Sequence, residues 1–422
     1  MEIPEIVKKA FDLLSDSSAY LYGKSVRELL MGIRPRVYRI ITAVPLAALR
    51  RMFPRGTVLR GKLRVKFEDA DLVLVPIRPE YRDSHFAQSF TIDSAVYSDI
   101  AGFIDSSGAE EDIRNKVIRL IEHDEAVLHA NPAIMLRAVR LCAELDFEIE
   151  EATAQTIREN ASRIRYANTR AVAREIDRLL MSPQPDRFRT LHSLGLLTYV
   201  MPQLDKCFGE PQRNKYHIYD VGEHIMHTVR GTPRDYVLRW SALLHDIGKP
   251  VCSSTDSNGI IHFYGHHRES RMIADDILHR YGIDRDAARD ILMLVENHDV
   301  RVDPSVIPVK KMMCRIGAEL FEKLMLLQAA DNMAKDPKFF PEKYSRISQA
   351  QKIAREVAAS GEPYSYSQLT INSRDLQKRG IRPGRETNEI MRRLMDEVIA
   401  DPAANRQDHL LRRARELRAS VT

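Results

Sequence analysis

The chain has 422 residues, 44% of them hydrophobic and 29% charged, a balance that supports packed cores and excludes wholesale disorder. No apolar run reaches the roughly 18 residues a membrane-spanning helix needs. The opening stretch MEIPEIVKKAFDLL has the pattern of an amphipathic helix with acids, not of a secretory signal. The net charge of +5, from 64 basic and 59 acidic residues, is compatible with a nucleic-acid partner without demanding one.

At about 100–200 residues per domain, a chain of this length holds roughly two to four domains. The strand signals lie in residues 1–130. KLRVKF (Lys62–Phe67) alternates, which predicts Leu63, Val65 and Phe67 on one face; ADLVLVPI (Ala70–Ile77), between Asp69 and Pro79, predicts a buried strand. Helical segments are predicted at Ser25–Met31 and Leu46–Met52, so this part is a small α+β domain. From about Asn131 the pattern turns helical, with Met135, Leu136, Val139, Cys142, Ala143 and Leu145 at helical spacing. A further helix is predicted over Ala171–Met181, ended by Ser182, Pro183 and Pro185, in a region rich in arginine from Arg163 to Arg189. Arg234–Gly248 has the character of a buried helix, and Thr255–Gly265 that of a small hairpin. Helices resume through Arg280 and Glu296, and the tail beyond Pro337 is mostly helical and ends in a basic segment. The four cysteines (Cys142, Cys207, Cys252, Cys314) form no CxxC; they suggest free thiols of a reducing cytoplasm and count against a cysteine zinc site.

The chemistry-bearing residues gather between His217 and Asp331: YDVGEH ending at His224, LLHDIGKP with His245 and Asp246, FYGHH with His266 and His267, ENHD with His298, and QAADN with Asp331. Imidazoles with carboxylates suit Mn, Fe, Co, Ni or Zn better than Mg. An aspartate behind Leu243 and Leu244 is costly to bury unless a partner or a metal compensates it. Against this, a lone helical histidine is more often packed or superficial than a ligand, and His217, His227, His262 and His267 suit that description. From the residues alone, His262, His266 and His267 are alternatives for the ligand in the FYGHH region.

The order of motifs resembles the bacterial class II tRNA nucleotidyltransferase and poly(A) polymerase family with a fused HD domain. YGKSVRELLMG (Tyr22–Gly32) is similar to its glycine loop and helix, FTIDSAVY (Phe90–Tyr97) to its Phe-Thr-Ile-Asn stretch, Ile104–Arg119 to its Asp-Pro-x-x-Gly segment, Met135–Thr153 to its neck, and Leu369–Gly384 to its C-terminal body. The resemblance implies an α+β fold: a nucleotidyltransferase-like head with a mixed sheet (1–130), a helical neck (131–205), an HD domain (206–340) and a helical tail (341–422). It implies His224, His245, Asp246 and Asp331 as ligands of one metal, His266 and His298 as added ligands of a second, Lys249 beside them, and RNA or nucleotide contacts at Arg137 and Arg140.

Departures from the family's pattern shape the functional expectation. Val37 and Arg39 stand at the family's two metal-binding carboxylates, and Val73 near the third; valine offers no ligand and arginine brings a fixed positive charge. Ala87, Gln88 and Ser89 replace its Arg-Arg-Asp, and Ala130, Asn131 and Ile134 replace groups of its base-reading motif. The acidic patch Glu68, Asp69 and Asp71 is either a replacement metal site or, preferably, a solvated strand end. The expectation is therefore a head without polymerase chemistry and an HD phosphohydrolase acting on nucleotides or RNA ends, with His245, Asp246 and Lys249 catalytic and one or two divalent ions (Mn, Ni, Co, Fe or Mg). The alternatives are a non-catalytic tRNA-binding protein and persistent CCA addition or polyadenylation. The expected partner is a nucleotide or an RNA 3′ end such as that of tRNA, the expected location is the cytoplasm, and no membrane partner is expected.

Overall fold

The computed structural model describes residues 2–14, 18–77, 89–121, 125–212, 216 and 218–421. Pro79, Ala87, Gln88 and His217 lie outside them. The described residues pack as two compact units, Met1–Val200 and Met201–Thr422.

The first unit is built on a seven-stranded sheet: β1 Ala19–Tyr22, β2 Val37–Thr42, β3 Thr57–Leu59, β4 Lys62–Lys66, β5 Asp71–Pro76, β6 Val96–Ser98 and β7 Gly102–Ile104. The strand order is β3-β4-β5-β2-β1-β6-β7. Within this sheet only β2 and β5 run parallel, pairing Val37 with Asp71 and Arg39 with Val73. The period-2 alternation of strands explains the two faces. Tyr38, Ile40, Leu72, Leu74 and Leu63 are fully buried, with Val7, Phe11, Val26 and Leu49 from three covering helices in the same core. Tyr22, Val37, Arg39, Asp71 and Val73 point to the other, half-buried face. Phe67 departs from the expected pattern. The strand stops at Lys66, the Phe67 amide turns to donate to the Ala70 carbonyl at 3.1 Å, and the ring is left 48% exposed. The turn thus breaks the alternation before it reaches Phe67.

The helix Ile134–Leu145 carries the apolar face foreseen in the sequence, with Met135, Val139 and Cys142 buried. Its partner runs over Thr169–Leu180, starting earlier than the spacing predicts because Asn168 caps it, accepting from the amides of Arg170 and Ala171.

The second unit is helical apart from the hairpin Ser253–Thr255/Ile261–Phe263. Asp235 caps the buried helix Tyr236–Leu244, accepting from the Leu238 amide. The chain leaves that helix at His245, short of the predicted end at Gly248. A Cβ on Gly248 would lie 2.4 Å from the Ser270 amide nitrogen and 2.9 Å from the Glu269 carbonyl carbon, both backbone atoms. This close approach of the helix His266–Tyr281 requires glycine, and the Gly248 amide donates to Ser270 Oγ at 3.0 Å. Gly248→Ala is therefore expected to cost about 1–3 kcal/mol in urea unfolding; an unchanged midpoint would mean that the helix shifts freely. A separate core around Ile390, Leu394, Val398 and Leu410 consolidates the C-terminal helices. Among the described residues no helix is long and apolar enough to cross a membrane.

Candidate functional site

The helices of the second unit bring six predicted ligands together. His224 comes from the helix Val221–Gly231, His245 and Asp246 from the end of Tyr236–Leu244, His266 from the first position of His266–Tyr281, His298 from the end of Arg285–Asn297, and Asp331 from Ala318–Met333. Two groups of donor atoms result: His224, His245, Asp246 and Asp331, and Asp246, His266 and His298. Asp246 belongs to both. Its Oδ2 lies 3.3 Å from His224 Nε2 and 3.2 Å from His245 Nε2, and its Oδ1 lies 3.3 Å from His266 Nε2 and 3.4 Å from His298 Nε2. Asp331 Oδ1 lies 2.9 Å from His224 Nε2.

The backbone fixes the imidazoles. Nδ1 of His224, His245, His266 and His298 faces the carbonyl oxygens of Ala334, Ala242, Phe263 and Val295 at 3.2, 2.8, 2.9 and 2.7 Å. With each Nδ1–H donated there, a neutral ring turns an Nε2 lone pair toward the carboxylates, the orientation metal-ligating histidines adopt. Lone pairs facing carboxylate oxygens at these distances repel unless a proton or a cation lies between them. Asp246 Oδ1 and His245 Nε2 are buried without a hydrogen bond. The donor set therefore fits a divalent metal.

Electrostatics favour the ligand forms of both aspartates and of His245. Burial alone would raise the Asp246 carboxyl, but His245, Lys249 and His224 overcome it and hold it well below the usual carboxylate range. Asp331 is likewise held well below it, by Lys335 and His224 against burial. Burial pushes His245 down. Burial also opposes protonation of His224 and His266, yet the facing carboxylates raise both.

Lys249 is buried, with Nζ donating to Asp246 Oδ2 and to Gln212 Oε1, both at 2.7 Å. It braces the carboxylate. His262 pairs with Asp256 at 2.9 Å, His227 stacks on Tyr219, and His267 falls in neither donor group. Lys335, whose Nζ lies 2.6 Å from Asp331 Oδ2, was missed in the sequence; its i,i+4 spacing from Asp331 was the available signal.

The first unit holds a different feature, a cleft of about 490 Å³ lined by Tyr22, Lys24, Arg27, Arg39, Arg137, Arg174 and Arg178 among others. Arg137 is partly exposed and donates to Asp93 Oδ2 at 2.8 Å. Arg140 differs: its side chain is 3% exposed and pairs with Glu144 and Glu175, so it braces the cleft wall. Arg39 faces the cleft as a cation. Asp71 pairs with Arg64 and Asp69 with Arg34, and among the described residues no three-ligand group occurs in this unit. The acidic patch is thus an ion-paired strand end, and Val37 and Arg39 do not fit a two-metal centre.

Residues 146–208 match the family described as the probable RNA- and SrmB-binding site of polymerase A, and residues 215–357 match the HD domain. The A-adding tRNA nucleotidyltransferase of Deinococcus radiodurans is 28% identical over 399 residues, covering 90% of this chain and 91% of that protein. The CC-adding tRNA nucleotidyltransferase of Thermus thermophilus is 26% identical, covering 77% and 78%. In fold, the chain is similar to the CCA-adding enzyme of Bacillus stearothermophilus solved with CTP, with a TM-score of 0.70 at 17% identity over 99% of this chain and all of that one. These relatives overturn the expectation of an HD phosphohydrolase on a scaffold that has lost polymerase chemistry. The similarity to nucleotide-adding enzymes is nearly full-length, so substitutions at motif positions do not carry that expectation. The resemblance seen in the motifs extends over nearly the whole chain: in sequence it is similar to bacterial tRNA nucleotidyltransferases and in fold to a CCA-adding enzyme, with the RNA-binding and HD segments following one another.

Proposed function

We propose that this chain adds nucleotides to the 3′ end of tRNA, with the cationic cleft of its first unit receiving the nucleotide triphosphate and RNA phosphates, and that the HD cluster holds one or two divalent ions. The observation that carries the first part is the convergence of arginines from sheet, head helix and neck on one cleft, in a chain aligned almost end to end with a tRNA nucleotidyltransferase. In the reaction the RNA 3′-hydroxyl oxygen bonds to the α-phosphorus, the bond to pyrophosphate breaks, and the hydroxyl proton leaves. Arginines at fixed positions neutralise the triphosphate and the charge that develops on pyrophosphate. Because Val37 and Arg39 do not fit a metal pair, no step is assigned to metal in this cleft. Asp71, in register with Val37, is the nearby carboxylate on the same face.

The test is incorporation of labelled CTP or ATP into tRNA transcripts ending before, within and after the terminal CCA. Incorporation into a shortened transcript is expected, falling at least about tenfold in Arg39→Ala, since one charge-assisted phosphate contact contributes on the order of 1.5–3 kcal/mol. Asp71→Asn asks whether that carboxylate takes part. No incorporation of either nucleotide, with RNA still bound, would overturn the proposal and leave an RNA-binding scaffold. For the HD cluster, imidazoles with two carboxylates favour Mn, Fe, Co or Ni over Mg.

A further inference from the structure

At Val37 and Arg39 the cleft of the first unit carries no anionic group, yet the backbone there is tied down. Ser25 of the helix Lys24–Leu30 holds β2 through its hydroxyl, which donates to the Val37 carbonyl at 3.1 Å and accepts from the Arg39 amide at 3.0 Å. Both side chains stand on the half-buried face of β2, and Arg39 lines the cleft. Asp71, the carboxylate paired with Val37 across the strands, is engaged by Arg64, whose Nε donates to its Oδ2 at 2.8 Å. A divalent ion arriving at this face would meet a guanidinium that cannot deprotonate, and a carboxylate that already has its counter-charge.

The other charges of the cleft run the same way. Seven of the side chains lining it are lysine or arginine, and one, Glu175, is acidic. Glu175 pairs with Arg140 at 2.8 Å, and Asp93 is shared by Arg27 and Arg137. Glu144 is shared by Arg140 and Arg178, and Lys24 reaches Glu28 at 3.3 Å. Among the described residues Arg39 and Arg174 have no carboxylate within ion-pair distance. Burial raises the Tyr22 phenol above its usual value, against the opposing pull of Arg39, so Tyr22 adds no anionic oxygen near neutral pH. A free nucleoside triphosphate carries about four negative charges near pH 8, and its magnesium complex about two. The ion therefore cancels half of the charge these arginines would meet, and brings its own charge up against Arg39.

We propose that this cleft selects the metal-free anion of a nucleoside triphosphate over its magnesium complex, with Arg39 standing in place of a divalent ion. This rests on the proposed function in taking the cleft as the nucleotide site, and concerns the form in which the nucleotide is bound. The test is calorimetric titration of the full chain with CTP and ATP at constant ionic strength. In one arm the nucleotide is freed of divalent ions on a chelating resin; in the other it carries excess magnesium. The free nucleotide is expected to bind at least about tenfold more tightly, since the two forms differ by two charges beside fixed guanidinium groups. Arg39→Gln should weaken the free form and bring the two affinities close together. Val37→Asp/Arg39→Asp supplies two carboxylates on a backbone that Ser25 already holds, and should make the magnesium complex the tighter ligand; its thermal midpoint reports whether it is folded, and Arg39→Gln decides alone if it is not. A magnesium complex bound as tightly as the free nucleotide, an Arg39→Gln chain with wild-type preference, or a folded double variant that still favours the free form would each overturn the inference. If labelled nucleotide is still incorporated into tRNA in those cases, the proposed function stands without it. The preference found in a chain that incorporates no nucleotide would overturn transfer alone, and no binding of either form would overturn the inference outright.

Discussion

Asp246→Asn is expected to strip the HD cluster of metal. In wild type purified without chelator, elemental analysis should find about one or two divalent ions per chain; in the variant, less than about a tenth of that. The expectation follows from position: Asp246 is the one residue shared by both donor groups, with each oxygen facing two imidazoles. Loss of residues that merely orient ligands costs about 10–100-fold in metal affinity, and loss of a bridging ligand costs more. The same substitution removes the charge opposite Lys249, which is 6% exposed and would keep only the neutral Gln212 as a close partner. Breaking a buried pair from one side costs about 3–5 kcal/mol, so the thermal midpoint should fall as well. Lys249→Met in the same background removes the stranded charge and should recover part of the midpoint without recovering metal. Full metal content in Asp246→Asn would show that the ions are held without Asp246, and wild type free of metal would show that the cluster is a proton-linked hydrogen-bond network. Acid should also release the metal, because ligating imidazoles must be neutral.

The HD cluster was legible in the sequence because its residues sit at helix ends and on helix faces in short, dense motifs. His-Asp after an apolar helix, Gly-His at a helix start and Asp331 on a helix face each carry local information, and the helices bring them together. The cleft of the first unit was less legible. Arg39 was noticed for what it excludes, a metal, when its position on the open face of β2 makes it a cleft cation. The family resemblance implied an RNA or nucleotide contact at Arg140, whose guanidinium pairs with Glu144 one turn on and with Glu175 from the next helix. The pairing with Glu175 joins residues 35 positions apart and leaves no periodic trace. Five of the seven strands escaped notice for a related reason. β3, β6 and β7 are three residues long, and β1 and β2 lie in motifs that draw attention for their chemistry. Motif substitutions also weighed too heavily in the functional expectation: the departures at metal-ligand, triphosphate and base-reading positions together were set above a similarity to nucleotide-adding enzymes that is nearly full-length.

Asp93 shows how one residue can set both the stability and the chemistry of the cleft. It is 2% exposed, and it accepts from Arg27 Nη1 on Oδ1 at 2.6 Å and from Arg137 Nη2 on Oδ2 at 2.8 Å. Arg27 is itself 3% exposed; burial lowers its pKa, and Asp93 is the main group opposing that. The carboxylate therefore ties the head helix to the neck helix and aims a second guanidinium at the cleft. Where the family resemblance places asparagine, this chain has aspartate, and a full negative charge is what two arginines need. Asp93→Ala is expected to destabilise the chain by about 3–5 kcal/mol, because a buried guanidinium loses its counter-charge. Asp93→Asn keeps one acceptor and should cost less. In that milder variant Arg137 is no longer held by charge, so nucleotide incorporation should drop at least tenfold at a temperature where the chain remains folded, with a shallower salt dependence of RNA binding as one phosphate contact is lost. If Asp93→Asn lowers the thermal midpoint but leaves incorporation and salt dependence at wild-type levels, Asp93 serves the fold alone and Arg137 finds its place in the cleft without help.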